Sequence, residues 1–350
     1  MRLCLAVLPR VFSKNAGNLP ILMLMLMNRR RFLQHLGLAA TATSLPWLGG
    51  CGKTPTLTVA IHLRIGYGPL YLARDFNWLP ARIKFHDDAA QGESLAALGS
   101  GETDAVCMTL DEMLVARASG LPLSAALVLA VSAGADMVLA RPKIDTLNDL
   151  ANQRIGFDHG AVGALVFAKL LDAAGLSPAA VTEVDLPPVE QLDAWRRNEI
   201  DAAITCEPMA SALMHEGAHN LFDSRQMPDT IIDVLAARHD RFKVLPLLRT
   251  LAAANFRALD YIRANKEDAI RRISTRAGIR PEEVRLALAG VTPPSLAANR
   301  GYLLGRDPGL IQTTRALSRL MVRHGLLAQE DDLQNLTLHE ALPVEGSSAS

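Results

Sequence analysis

Residues able to bind a small molecule gather at a few turns of this 350-residue chain. Gly66-Tyr67-Gly68, Thr109-Leu110 and the run His159 to Gly163 each stand between an apolar strand pattern and a helix pattern. Each therefore offers unpaired amide N–H groups at a helix start, where the dipole favours an anion. Glycine at such turns lets the backbone approach a ligand closely. Two carboxylates argue for the opposite charge. Asp136 follows Ser132-Ala133-Gly134-Ala135, and Glu207 precedes Pro208 at a helix start. Either could pair with an ammonium or amidine-like nitrogen, charge and hydrogen bonding acting together. Each also has a plainer use: Glu207 and Asp111 as first-turn acids, Asp136 as a hydrogen-bonding group in a turn. Tyr67 is a candidate for stacking on a ligand or for packing in a core. His159 could hydrogen-bond an oxyanion or heterocycle, or simply face solvent. The candidate binding set is thus Tyr67, Gly68, Thr109, Asp111, Asp136, His159, Gly160 and Glu207. Trp78 and Trp195 read as helix packing.

Reactive constellations are missing from the sequence. There is no nucleophile elbow, HExxH or P-loop, and no Cys/His cluster with metal-ligand spacing. Of four cysteines, Cys4 and Cys51 precede the folded part, and Cys107 and Cys206 lie in apolar strand-like runs as buried free thiols. No catalytic residue, metal or cofactor is expected.

The elements that position the candidates alternate. Leu57 to Ile61 reads as a strand, Leu70 to Phe76 as a helix, Arg82 to Phe85 as a strand, and a further helix runs from Gln91 to about Gly99. Asp104 to Met108 is a short buried strand, and Thr109 to Glu112 has the spacing of a capping box. After the strand Leu123 to Val131 the pattern restarts: strand Arg154 to Phe157, helix Ala164 to Ala174, strand Val181 to Leu186, helix Val189 to Arg197, strand Asp201 to Thr205. Strands alternating with helices imply βαβ units and parallel pairing. Gly101 to Met108 echoes Asn198 to Thr205, which points to two lobes of like topology around one crevice. Beyond Ile231 long helical patterns dominate, over 244–265, 266–277, 281–289 and 308–324.

Composition narrows the partners. Lys and Arg total 36 and Asp and Glu total 36, a balance that argues against nucleic acid. Hydrophobic residues make up 49% and aromatics 5%, so Ala, Leu and Val fill the core, as suits helices layered on sheets.

The N-terminal stretch carries an address. Asn28-Arg29-Arg30-Arg31-Phe32-Leu33-Gln34 resembles a twin-arginine export signal, and Leu48-Gly49-Gly50-Cys51 resembles a lipobox. The run between them is short and contains Pro46, so it does not span a bilayer. Cys51 is the expected lipid attachment point. Residues 1–26 read as an upstream extension, and Gly346 to Ser350 as a polar tail.

The folded part resembles the solute-binding proteins of ABC importers, in the branch with nitrate, sulfonate, taurine and thiamine-pyrimidine binders. The resemblance runs from about Leu57 to His324. It is carried by Tyr67-Gly68-Pro69-Leu70-Tyr71-Leu72-Ala73, Gly101-Glu102-Thr103-Asp104-Ala105, Leu110-Asp111-Glu112, Ile155-Gly156, Ala173-Ala174-Gly175-Leu176 and Asp201 to Pro208. It implies an α/β, two-lobed binding-protein fold, each lobe a mainly parallel sheet flanked by helices, with a helical C-terminal segment. Lobe one would comprise 54–136 and 234–345, lobe two 137–233, with a hinge at Ser132 to Asp136 and near Asp233-Val234-Leu235. Glu207 would face the cleft, as in amine-binding relatives. The implied protein is a monomer, held at the cell envelope in the periplasm by its lipid, that captures a small solute by hinge closure and docks on an ABC permease. Acids set against amide donors suggest a nitrogen-containing solute such as an amine, aminosulfonate or pyrimidine. An oxyanion binder, a same-fold enzyme and a sensory binding protein are the alternatives.

Overall fold

β1 (Leu57–His62) opens the fold as an apolar strand, and a single 3-10 turn over Ile65–Tyr67 leads into α1 (Gly68–Asp75). Pro69 suits the first turn, because the N–H it lacks would find no partner there. This is a computed structural model of the chain, and it describes residues 54–88, 91–160 and 162–344. The export-signal-like leader, Cys51 and the tail 346–350 lie outside the described residues.

The βα rhythm continues through β2 (Ile83–Asp88), α2 (Gln91–Ser100), β3 (Ala105–Thr109), α3 (Leu110–Ala118) and β4 (Leu123–Ser132). With β10 (Ile232–Arg238) and the short β11 (Val291–Thr292) these strands form a six-stranded sheet, ordered β11-β4-β10-β3-β1-β2. A second, five-stranded sheet is built from β5 (Met137–Ala140), β6 (Arg154–Phe157), β7 (Thr182–Asp185), β8 (Ala202–Thr205) and β9 (His219–Asp223), ordered β7-β6-β8-β5-β9. Its helices are α4 (Val162–Ala174), α5 (Pro188–Arg196) and α6 (Met209–His215). β3 and most of β4 are buried, as near-continuous apolar runs covered on both faces should be.

The fold class is the α/β, two-lobed arrangement expected, with mixed sheets in place of mainly parallel ones. β1 pairs parallel with β2 and β3, and β6 with β7 and β8. β10 and β5 pair antiparallel with both of their main neighbours. The reason is topological: the strands that carry the chain from one sheet to the other insert against the direction of the βα units. The chain leaves the first sheet after Ser132, enters the second at Met137, and returns between Asp223 and Ile232. Gly134, at φ 112, takes the left-handed conformation that the first passage requires.

The internal echo has a physical meaning. Asp104 accepts from Thr58 N–H at 3.0 Å while its own N–H donates to Thr58 O at 2.8 Å. Asp201 accepts from Arg154 N–H at 3.2 Å and its N–H donates to Arg154 O at 2.8 Å. In each lobe the aspartate pins the register of the two central parallel strands.

The C-terminal part is helical: α7 (Leu245–Ala264), α8 (Lys266–Ala277), α9 (Pro281–Ala289), α10 (Leu296–Leu303) and α11 (Gly309–Arg323). Gly278, left-handed at φ 66, ends α8. Both α7 and α8 pack on α1. Leu72 of α1 is buried with Ala258, Ile270 and Ile273 in one apolar cluster. Full burial of each such aliphatic side chain contributes about 1.5–3 kcal/mol, so α1 is held firmly on both flanks. Among the described residues no helix is long and apolar enough to cross a membrane.

Candidate functional site

The ends of β1, β4 and β8 meet the start of β10 beside the N-terminus of α1, and a cavity of about 180 Å³ opens there. Its base is formed by His62, Arg64, Asp136, Cys206, Glu207 and Asp233. These come from both sheets and from a passage between them, so the cavity sits where the two lobes join.

Arg64 organises the charge. Its Nε donates to Asp233 Oδ1 at 2.8 Å, and its Nη2 lies 3.6 Å from Asp136 Oδ2. The two carboxylates are 5% exposed and the guanidinium 22%. Burial works against the charge of Arg64, but Asp233 and Asp136 outweigh it and hold the guanidinium above its ordinary range. One cation does not balance the cluster. Asp111 and Glu112, both buried, also act on Arg64's surroundings, and burial raises both their pKa values. Burial, set against the pull of Arg64 and reinforced by Asp136, pushes the Asp233 carboxyl up to about 6. Asp136 Oδ2 and Asp111 Oδ1 are buried and accept no hydrogen bond.

The neighbours of this cluster are fixed by close contacts. A Cβ added at Gly66 would overlap Asp233 Oδ2 and sit 3.0 Å from Ala130 Cβ, so only glycine leaves the carboxylate its place. His62 packs edge-on against Tyr67 at 5.3 Å between centroids. Burial and Arg64 lower its pKa to about 4, so the imidazole is neutral at neutral pH, and its buried Nδ1 has no hydrogen-bond partner. Cys206 is a free thiol pushed up to about 11 by burial and by Asp136. Among the described residues no group of His, Cys, Asp and Glu could hold a metal ion.

The sequence candidates fall into three groups. Gly68, Asp136 and Glu207 line the cavity. Tyr67, Thr109 and Asp111 do not line it; they are buried beside it. The Tyr67 ring packs against His62, and its hydroxyl, whose pKa is raised by burial and by Asp233, has no hydrogen-bond partner. Thr109 lends its N–H to Glu112 Oε2 at 2.7 Å, the backbone half of the capping box. His159 and Gly160 are elsewhere. The His159 ring lies tilted against Phe157 at 4.4 Å between centroids, with Nε2 3.6 Å from Glu183, and Gly160 N–H donates to Asp158 Oδ1 at 2.8 Å. Glu207 also serves its plainer purpose, accepting from Ser211 N–H at 3.1 Å and from Ser211 Oγ at 3.0 Å. Sequence reading missed Arg64, Asp233 as a site residue, and His62. The available signal was a basic residue directly after an apolar strand, with buried acids elsewhere that needed a cation.

This geometry defines the class: a two-lobed α/β binding-protein fold with a polar cavity at the junction of its sheets. The chain belongs to the NMT1/THI5-like family, whose model matches residues 71–269, over half its length. Its structure is similar to the periplasmic aliphatic sulphonate binding protein SsuA from Escherichia coli, with TM-score 0.69, 20% identity, and coverage of 81% of this chain and 97% of that one. It is also similar to the alkanesulfonate-binding protein SsuA from Xanthomonas axonopodis pv. citri bound to MOPS, with TM-score 0.62, 21% identity and coverage of 82% and 97%. The periplasmic nitrate-binding protein NrtA from Synechocystis PCC 6803 matches with TM-score 0.54, 14% identity and coverage of 66% and 69%. At these identities the likeness is one of fold. No curated protein matches the sequence.

Proposed function

We propose that this protein is the solute-binding component of an ABC importer, working in the periplasm and held there by a lipid on Cys51. Its ligand is a small organic solute with a cationic nitrogen. The observation that carries the reading is the charge balance at the cavity base. Arg64 faces Asp136 and Asp233 with Asp111 and Glu112 close behind, and Asp136 Oδ2 is left without a hydrogen bond. An ammonium placed there supplies both the missing donor and the missing charge. An anion within 4 Å of Asp136 would meet a repulsion of roughly 4 kcal/mol at an effective dielectric of 20, enough to offset an equal attraction to Arg64.

Binding fits better than turnover. Cys206, the one thiol at the cavity, stays protonated at neutral pH and is a poor nucleophile. Closure of the two lobes about the passages at 133–136 and 224–231 is the capture step, with solute favouring the closed form by its differential affinity. A thermal-shift panel of amines, aminosulfonates, pyrimidines, sulfonates and nitrate tests the assignment. Amines or amine-bearing solutes are expected to raise Tm, and Asp136→Asn to remove the rise. Stabilisation by sulfonates or nitrate alone, unchanged in Asp136→Asn, makes the protein an oxyanion binder.

A further inference from the structure

The cavity is not a round pocket; it runs along α1. Gly68, Tyr71, Leu72 and Asp75 line it, positions zero, three, four and seven of one helical face. From Gly68 to Asp75 that face extends about 10 Å at 1.5 Å per residue. Ile273, Arg276 and Ala277 line it from α8 with the same helical spacing. The polar groups sit at its two ends. At one end is the Arg64 cluster with Asp136. At the other, Arg276 is paired with Asp75, its Nε 3.1 Å from Asp75 Oδ2 and its guanidinium 5.3 Å from the Tyr71 ring centre. Between them the lining is apolar: Leu72, Ile273, Ile279, Ala287 and Val291. The Ile273 side chain comes so near the start of α1 that a Cβ on Gly68 would lie 3.3 Å from its Cδ1.

We propose that this slot is an apolar-chain subsite, and that the solute is a primary ammonium bearing an unbranched hydrocarbon or a single flat ring in line with it. The cation lies at Asp136, the apolar body runs between α1 and α8, and the Asp75–Arg276 pair closes the far end and sets the length accepted. The orientation rests on the cationic reading given above; the slot itself does not. The lining explains why one end takes charge and the middle rejects it. A charged group halfway along would lose its water against Leu72 and Ile273 without gaining a partner. A methylene in the same place is removed from water, which is worth about fourfold in affinity.

Calorimetric titration of the full chain with n-alkylammonium ions of increasing length is the test. Affinity is expected to rise about fourfold per methylene. The rise should stop at about eight carbons, where an extended chain has spanned the slot. Ala287→Leu narrows the middle and is expected to end the rise at shorter chains. Arg276→Ala opens the far end and should let it continue to longer ones. A flat series, with short and long ammonium ions binding alike, overturns the subsite and leaves the cationic reading standing. A rise seen with n-alkylsulfonates and not with the amines keeps the slot and overturns the cationic reading. The wild-type series decides the matter even if neither variant folds. No binding by either series overturns both.

Discussion

Arg64→Met removes the single guanidinium that faces the buried acids while keeping most of its apolar stem. Arg64 Nε is 2.8 Å from Asp233 Oδ1, and Nη2 is 3.6 Å from Asp136 Oδ2, with both carboxylates 5% exposed. Removing one partner of a buried pair leaves an uncompensated charge and costs about 3–5 kcal/mol. For a folded region of roughly 300 residues the unfolding entropy is about 0.6 kcal/mol/K, so Tm should fall by about 5–8 °C at pH 8. The loss should shrink in acid. Asp233 already has its pKa raised to about 6 in the folded protein, above its ordinary 3.8. A carboxyl so raised holds its proton more tightly folded than unfolded. Its stabilising contribution is complete below pH ~4 and is lost as pH rises through ~6. Without Arg64 the folded pKa of Asp233 climbs further, so the variant should come closest to wild type near pH 5. Thermal unfolding of both proteins at pH 5 and pH 8 reads this directly. An equal Tm deficit at the two pH values, or none, would refute the claim that Arg64 balances a buried acidic cluster.

Three further outcomes follow from the same geometry. Ammonium binding should strengthen as pH rises from about 5 to 7.5 and then level off, because burial raises the pKa values of the Asp233, Asp111 and Glu112 carboxyls and their deprotonated forms hold a cation better, while neutral His62 and permanently charged Arg64 do not titrate there. Titration in two buffers of different ionisation enthalpy should show protons released on binding at pH 6. Gly66→Ala should lower stability by about 1–3 kcal/mol by driving a methyl into Asp233 Oδ2 and Ala130 Cβ, with weaker ligand binding alongside; unchanged unfolding would mean that the turn yields freely.

The βα units were legible because most pair a buried strand such as β3 or β6 with a turn glycine or proline and a helix in sequence order. The echo at Asp104 and Asp201 was legible for the same reason: one local arrangement, an aspartate bonded across to the adjacent strand, occurs twice. What escaped were the elements whose existence depends on distant partners. β5 has four buried residues, too few for a period, and is a strand only because it lies between β8 and β9. β11 has two residues paired to β4, and α10 is short and only weakly two-faced.

The site divides in the same way. Gly68, Asp136 and Glu207 could be placed because strand ends and helix starts in this architecture converge. Arg64 could not, since its partners lie far along the chain, and a basic residue after an apolar strand does not by itself separate a buried ion pair from an exposed loop arginine. His159 and Gly160 had the right local pattern, a glycine-rich turn before a helix, yet the loop turns to Phe157, Asp158 and Glu183 instead. Helix-start amides mark where a ligand could bind; only the packing of the other lobe decides which of them reach the cavity.

The central claim is that the cavity base prefers a cation. Calorimetric titration of the purified protein with n-butylammonium and with n-butanesulfonate, equal in chain and opposite in charge, tests it most directly at pH 7.5. The expected result is heat and a measurable affinity for the ammonium, with none for the sulfonate. Binding of the sulfonate with no response to the ammonium would contradict it.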